Sequence, residues 1–144
     1  MITSILVAVD TSDAAQAALQ HAREIAKAFS AKLLLVNVVD VTKLLAIAGY
    51  ETPYPVDAIQ IMRDDAKTIL GDASASCATD GITCIELTSE GDAVEEILSI
   101  AKTQHADLIA IGTHGRRGIS RIFLGSVAEG VLRKSDVPVL VVRA

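Results

Sequence analysis

Five short apolar runs, Ile5 to Val9, Leu33 to Val39, Ile82 to Leu87, Ala106 to Ile111 and Val137 to Val142, constrain this chain more than any other feature. Each is too short and too rich in Val, Ile and Leu for an independent helix, and reads as a strand. Segments of helical spacing lie between them. Ala15, Ala18, Leu19, Ala22, Ile25, Ala26 and Phe29 form one stripe; Ile59, Met62, Ala66, Ile69, Ala73 and Cys77 form a second; Val94, Ile97, Leu98 and Ala101 form a third. Val127 to Ser135 supplies a last helix. The order βαβαβαβαβ predicts an α/β fold, a parallel sheet with helices on both faces joined by right-handed crossovers. With 51% hydrophobic and 3% aromatic residues, the core must be built from Val, Ile, Leu and Ala, as suits such a sheet. A length of 144 residues fits one domain, 1–144.

Local signals mark the joints. Asp10, Thr11, Ser12 and Asp13 read as a helix start after the first strand. Glu86 interrupts the third run and points to a sheet edge, while Asp92 and Glu95 are spaced as a capping pair. Between Val41 and Asp57, Pro53 and Pro55 are expected to forbid a regular element. That stretch carries both tyrosines, Tyr50 and Tyr54, and reads as a mobile surface loop or as a flap over a ligand or partner. Cys77 continues a helical stripe, and Cys77 and Cys84 form no C-x-x-C pair, so a buried thiol in a reducing compartment is expected. His21 and His105 read as structural.

Gly112-Thr113-His114-Gly115, followed after nine residues by Gly125-Ser126, stands where the fourth strand hands over to the last helix. Glycines there permit positive φ and close backbone approach to a ligand. A helix starting near Gly125-Ser126 offers free N–H groups and a partial positive charge, to which a phosphate is suited. Each glycine taken singly also reads as a plain turn. Arg116, Arg117 and Arg121 add positive charge to the intervening loop. Neither G-x-x-x-x-G-K-[ST] nor G-x-G-x-x-G is present, which excludes a P-loop NTPase and an ordinary dinucleotide enzyme.

With its G-x2-G-x9-G-[S/T] pattern at Gly112, Gly115, Gly125 and Ser126, the chain resembles the universal stress protein family, in its ATP-binding type. The resemblance runs from Ile5-Leu6-Val7-Ala8-Val9-Asp10 to Val137-Pro138-Val139-Leu140-Val141-Val142. It implies an open five-stranded parallel sheet of order 3-2-1-4-5, Rossmann-like and similar to the adenine nucleotide alpha hydrolases. Asp10 and Gly112 would then meet at the reversal of winding, where ligands bind open parallel sheets. It further implies that Ala8, Val9 and Asp10 line the nucleoside end and that the backbone around Val38 meets the adenine edge. Gly112, His114 and Gly115 would approach ribose and phosphates, with Gly125, Ser126 and Val127 donating to phosphate. The implied cofactor is ATP, or ADP or AMP, with Mg²⁺. Asp10 stays open between helix start and site residue, with a place near Mg²⁺ as a further reading. His114 stays open between phosphate donor, acid or base, and turn residue.

The formal net charge of -5 argues against general nucleic-acid binding. The charge is uneven: residues 1–114 carry 7 Lys/Arg against 16 Asp/Glu, whereas residues 115–144 carry 6 against 2, so the glycine pattern enters the basic part. No run approaches the roughly 20 apolar residues that span a bilayer, and no signal segment precedes the first strand, so a cytoplasmic protein without a membrane partner is expected. Three functions fit the residues: a nucleotide-dependent binding module, a slow ATPase or self-phosphorylating enzyme, and a nucleotide-independent interaction protein. The resemblance also implies a homodimer through the last strand, Val139 to Val142, an apolar edge that needs cover, and a further protein partner of unknown identity.

Overall fold

The computed structural model describes residues 1–48, 56–114 and 123–144. Its strands are β1 (Ser4–Ala8), β2 (Lys32–Val39), β3 (Cys84–Glu90), β4 (Leu108–Gly112) and β5 (Val139–Val142). They form one parallel sheet in the order β3-β2-β1-β4-β5, the expected 3-2-1-4-5 winding. Helices α1 (Asp13–Phe29), α2 (Val41–Ala48), α3 (Val56–Ala78), α4 (Ala93–Thr103) and α5 (Ser126–Lys134) connect them.

Side-chain alternation along the central strands divides the interior into two cores. Ile5, Val7, Leu33 and Leu35 pack with Leu19, Ala22, Leu70 and Cys77, which places α1 and α3 on one face. Leu6, Leu34, Val36, Ile109 and Ile111 pack with Ile97, Ala101, Ala128 and Val131, which places α4 and α5 on the other. Because β1 is covered on both faces, Ile5, Leu6 and Val7 have no exposed surface at all. Burial of each such side chain contributes roughly 1.5–3 kcal/mol. The expected buried thiol is found at Cys77.

Helix ends follow the sequence signals. Ser12 caps α1 by accepting from the Ala15 N–H at 3.2 Å, and Asp92 caps α4 by accepting from the Glu95 N–H at 3.0 Å. His105 takes a left-handed φ of 54° just beyond α4, and the next N–H, of Ala106, returns to the Ala101 carbonyl. Asp80, in the turn from α3 to β3, accepts from Arg23 and from Lys27 (2.8 Å) and so ties that turn to α1. These two cations, Lys27 first, hold the Asp80 carboxyl below its ordinary range.

Two expectations need correction. Val41 to Ala48 is helical, although no regular element was expected between Val41 and Asp57. Prolines at 53 and 55 bar a helix only around themselves, and the eight residues of α2 end before them. Tyr50, Pro53, Tyr54 and Pro55 lie outside the described residues. The third strand begins at Cys84 and runs to Glu90, later than Ile82 to Leu87. Its polar end is accommodated because the strand is at the sheet edge, where alternate side chains face water while the backbone pairs with β2 through Val39↔Glu90.

Candidate functional site

β1 has β2 on one side and β4 on the other, and the winding reverses between β1 and β4. The chain therefore leaves the carboxyl ends of these two strands in opposite directions and opens a crevice there. The register Val7↔Ala110 puts Ala8 to Asp10 level with Ile111 to Thr113.

Asp10 organises the start of α1. Its Oδ1 accepts from the Ser12 N–H at 2.7 Å and from the Ser12 hydroxyl, while the Gln16 side-chain amide donates to the Asp10 carbonyl at 3.1 Å. The helix-start reading of Asp10 thus holds, and it leaves the residue at the mouth of the crevice. Val9 is buried and its side chain belongs to the core beneath α1 and α3, so only its backbone faces the crevice. Ala8 and Val38 are different: both are half-covered members of the core beneath α4 and α5, together with Leu124 and Val127. They form an incompletely covered apolar floor.

Gly112 and Gly125 earn their place by close packing and not by positive φ. Among the described glycines only Gly81 and Gly91 have positive φ. A Cβ on Gly112 would lie 2.7 Å from the Ala14 carbonyl carbon and 2.8 Å from the Ala15 nitrogen, so the first turn of α1 sits directly on the end of β4. At Gly125 a Cβ would lie 3.0 Å from the Thr113 carbonyl oxygen and 3.2 Å from the His114 Cα. The Gly125 N–H donates to that same Thr113 oxygen, which docks the start of α5 against the exit of β4.

Gly125 caps α5 without any side-chain hydrogen bond, so the first-turn N–H groups of Ser126, Val127 and Ala128 point out with the positive end of the helix dipole. The Ser126 side chain is exposed beside them. His114 is half-buried, with Nδ1 3.0 Å from the Thr113 hydroxyl; Thr113 is buried, and its N–H donates to the Val142 carbonyl. Ala8, Asp10, Val38, Gly112, His114, Gly125, Ser126 and Val127 are therefore gathered at the carboxyl edge of the sheet, with the Val9 backbone among them. Gly115, with Arg116, Arg117 and Arg121, lies outside the described residues.

Sequence spacing read Ser12 only as part of a helix start and missed two contributors, Thr113 and Asn37, whose side-chain amide donates to the Val9 carbonyl at 2.8 Å. A hydroxyl two residues after Asp10 was a legible cap signal; an asparagine inside an apolar strand was the only hint for Asn37. Among the described residues no group of three or more His, Cys, Asp or Glu side chains is arranged to hold a metal ion. Nor, among them, is any helix long and apolar enough to cross a membrane.

Two cavities lie elsewhere. One, of about 570 Å³, is at the amino end of the sheet between the ends of α4 and α5, bordered by Lys102, His105 and Lys134. The other, of about 430 Å³, lies between α3 and the outer strands, at Arg63, Lys67 and Thr88. Neither is at the reversal of winding, and the crevice is the better-founded site on topological grounds.

The sequence profile of the universal stress protein family matches residues 1–143. The chain belongs to the universal stress protein family. Universal stress protein MJ0531 of Methanocaldococcus jannaschii is 33% identical over 139 residues, covering 96% of this chain and 81% of the relative. The solved structure of MJ0577 from the same organism superposes with a TM-score of 0.86 at 28% identity, covering 100% of this chain and 97% of that one. A universal stress protein of Archaeoglobus fulgidus, solved in complex with dAMP, gives a TM-score of 0.70 at 27% identity, with 99% of both chains covered.

Proposed function

We propose that this protein binds ATP, or the related ADP or AMP, in the crevice between β1 and β4, and acts as a nucleotide-dependent regulatory module of a stress response. One observation carries the reading: the half-open apolar floor of Ala8 and Val38 adjoins a helix start whose cap is a bare glycine. An aromatic base suits the first feature and an anion suits the second. A molecule joining a base to phosphates would bridge them. The A. fulgidus relative, solved with dAMP, supports an adenine nucleotide as the class.

In this reading Asp10 and the Val9 backbone meet the nucleoside, Val38 the base edge, and Gly112, His114 and Gly115 the ribose and phosphates. Ser126 and Val127 receive the phosphates through their N–H groups and the Ser126 hydroxyl; Gly125, expected as a donor beside them, instead gives its N–H to the Thr113 carbonyl and contributes by close packing. Mg²⁺ would be held chiefly by the phosphates and water, since it takes few protein carboxylates beside a nucleotide; Asp10 supplies the carboxylate in this set of residues. The expected location is the cytoplasm.

The protein would act as a homodimer through β5. Ile109 donates to the Pro138 carbonyl and Thr113 to that of Val142, so by alternation the peptide groups of Val139 and Val141 face away from β4 at an open sheet edge. Pairing with a second copy would satisfy them. A mass by analytical ultracentrifugation that stays monomeric at all concentrations would remove this part of the reading.

The nucleotide proposal is tested by denaturing gently purified protein, analysing the released small molecules by chromatography, and titrating the stripped protein with ATP and Mg²⁺. Retained or tightly bound adenine nucleotide is expected. If the protein neither retained nor bound nucleotide, the family's nucleotide-independent interaction role would be the better description.

A further inference from the structure

The β1–β2 ladder stops in an unusual way. Its paired residues end at Ala8↔Val36, and its last rung is the Val9 N–H donating to the Val36 carbonyl at 2.8 Å. In a regular parallel ladder the next rung would run from the Val38 N–H to the Val9 carbonyl. That carbonyl instead accepts from the Asn37 side-chain amide, at 2.8 Å.

Parallel pairing aims alternate residues of β2 at opposite neighbours. Leu33 donates to Thr83 and Val39 accepts from Gly91, on the β3 side, whereas Val36 accepts from Val9, on the β1 side. Val38 therefore aims its N–H and C=O toward β1, beyond the point where β1 has ended. Among the described residues neither group has a backbone partner there, and Val38 is only half-buried. An unpaired backbone donor and acceptor of one residue border the crevice, on the floor formed by Ala8 and Val38.

We infer that Asn37 is a positioning residue for base recognition: by satisfying the Val9 carbonyl in place of Val38, it keeps the Val38 peptide open to read the hydrogen-bonding edge of a nucleobase. This rests on the nucleotide reading above for the identity of the ligand. The placement of Val38 follows from the ladder itself. A buried carbonyl without a partner costs about 1–3 kcal/mol, so without the amide the Val9 oxygen would draw in the Val38 N–H. The rung would then close the edge that the base needs. Adenine, with an acceptor at N1 and a donor at N6, complements an N–H and C=O pair side by side.

The test has two independent readouts on the full chain. Hydrogen exchange of the ligand-free protein, followed by NMR, should show the Val38 N–H exchanging at least about tenfold faster than that of Val36, as expected of an amide outside the ladder. ATP should slow it. In Asn37→Val the Val38 N–H should become protected without nucleotide, and ATP affinity should fall about tenfold, the equivalent of one lost hydrogen bond, with UTP affinity little changed. A general loss of structure would instead weaken both nucleotides alike.

Protection of Val38 equal to that of Val36 in the unmodified, ligand-free protein would overturn the assignment, and this measurement does not depend on the variant folding. An Asn37→Val protein with the original preference for ATP over UTP would also overturn it. Failure of the unmodified protein to bind ATP, with Val38 exchanging freely, would instead count against the nucleotide reading and leave the open Val38 peptide in place.

Discussion

Gly112 and Ala14 are in backbone contact: a methyl group on Gly112 would lie 2.7 Å from the Ala14 carbonyl carbon. The end of β4 and the first turn of α1 can approach this closely only because Gly112 has no side chain. Gly112→Ala is expected to destabilise the fold by about 1–3 kcal/mol through overpacking. Urea unfolding should show a lower midpoint at unchanged slope. The variant should also push α1 away from the crevice, so nucleotide affinity should fall under conditions where the protein is still folded.

Ser126 separates binding from stability. An aspartate at the first turn of α5 favours the helix dipole and should leave stability unchanged or raise it by about 0.3–1 kcal/mol. The same charge would repel a phosphate. Ser126→Asp is therefore expected to lower ATP affinity at least about tenfold, measured by calorimetric titration, while thermal unfolding holds or improves. Equal ATP binding by the variant would place the phosphates elsewhere.

Acid stability should depend on three carboxylates. Asp80 is held below its ordinary value of 3.8 by Lys27 and Arg23, Glu90 below 4.5 by Arg63, and Asp107 below 3.8 by the Thr3 N–H and hydroxyl, with the Ser4 N–H adding to these. A depressed carboxyl stabilises the fold fully above its unfolded pKa, and the benefit is lost as pH falls through the folded value. Stability should thus decline below about pH 4. Asp80→Asn should be less stable than the unmodified protein at pH 7, and the gap should shrink toward pH 2. Urea midpoints across that range would show it; a gap that widened in acid would contradict the assignment.

Both thiols should be unreactive in the folded protein. Cys77 is fully buried, and burial, followed by the adjoining Cys77 thiol and the charge of Glu86, pushes the Cys84 thiol up to about 12. Attack on a disulfide reagent requires the thiolate. At pH 8 an aromatic disulfide reagent should modify neither cysteine within minutes, and both at once on unfolding. Rapid labelling of Cys84 in the native state would show the α3 to β3 turn to be open.

Much of this architecture was legible in the chain because local signals agreed with the tertiary outcome. The central runs, Ile5 to Val9 and Leu33 to Val39, read as buried strands and proved buried except at Ala8, Asn37 and Val38 near their carboxyl ends, while Ser12 and Asp92 announced their helices. What escaped depends on neighbours distant in sequence. The helix at Val41 to Ala48 is masked in the sequence by Pro53 and Pro55, which bar a helix only around themselves. Gly112 stood out as a glycine, but its contact with Ala14 spans 98 positions and could not be read from spacing. Asn37 acts on Val9 only because β1 and β2 are paired, so its role emerges from the register.

The most direct test of the nucleotide site is an NMR titration of the stripped protein with ATP and Mg²⁺, following assigned backbone amides. The crevice reading predicts that Asp10, Val38, Gly112, His114, Ser126 and Val127 shift together and saturate with one affinity, while Lys102, His105 and Lys134 at the opposite end of the sheet remain still. Shifts gathered around Lys102 and Lys134, or no saturable shifts in the crevice, would contradict it.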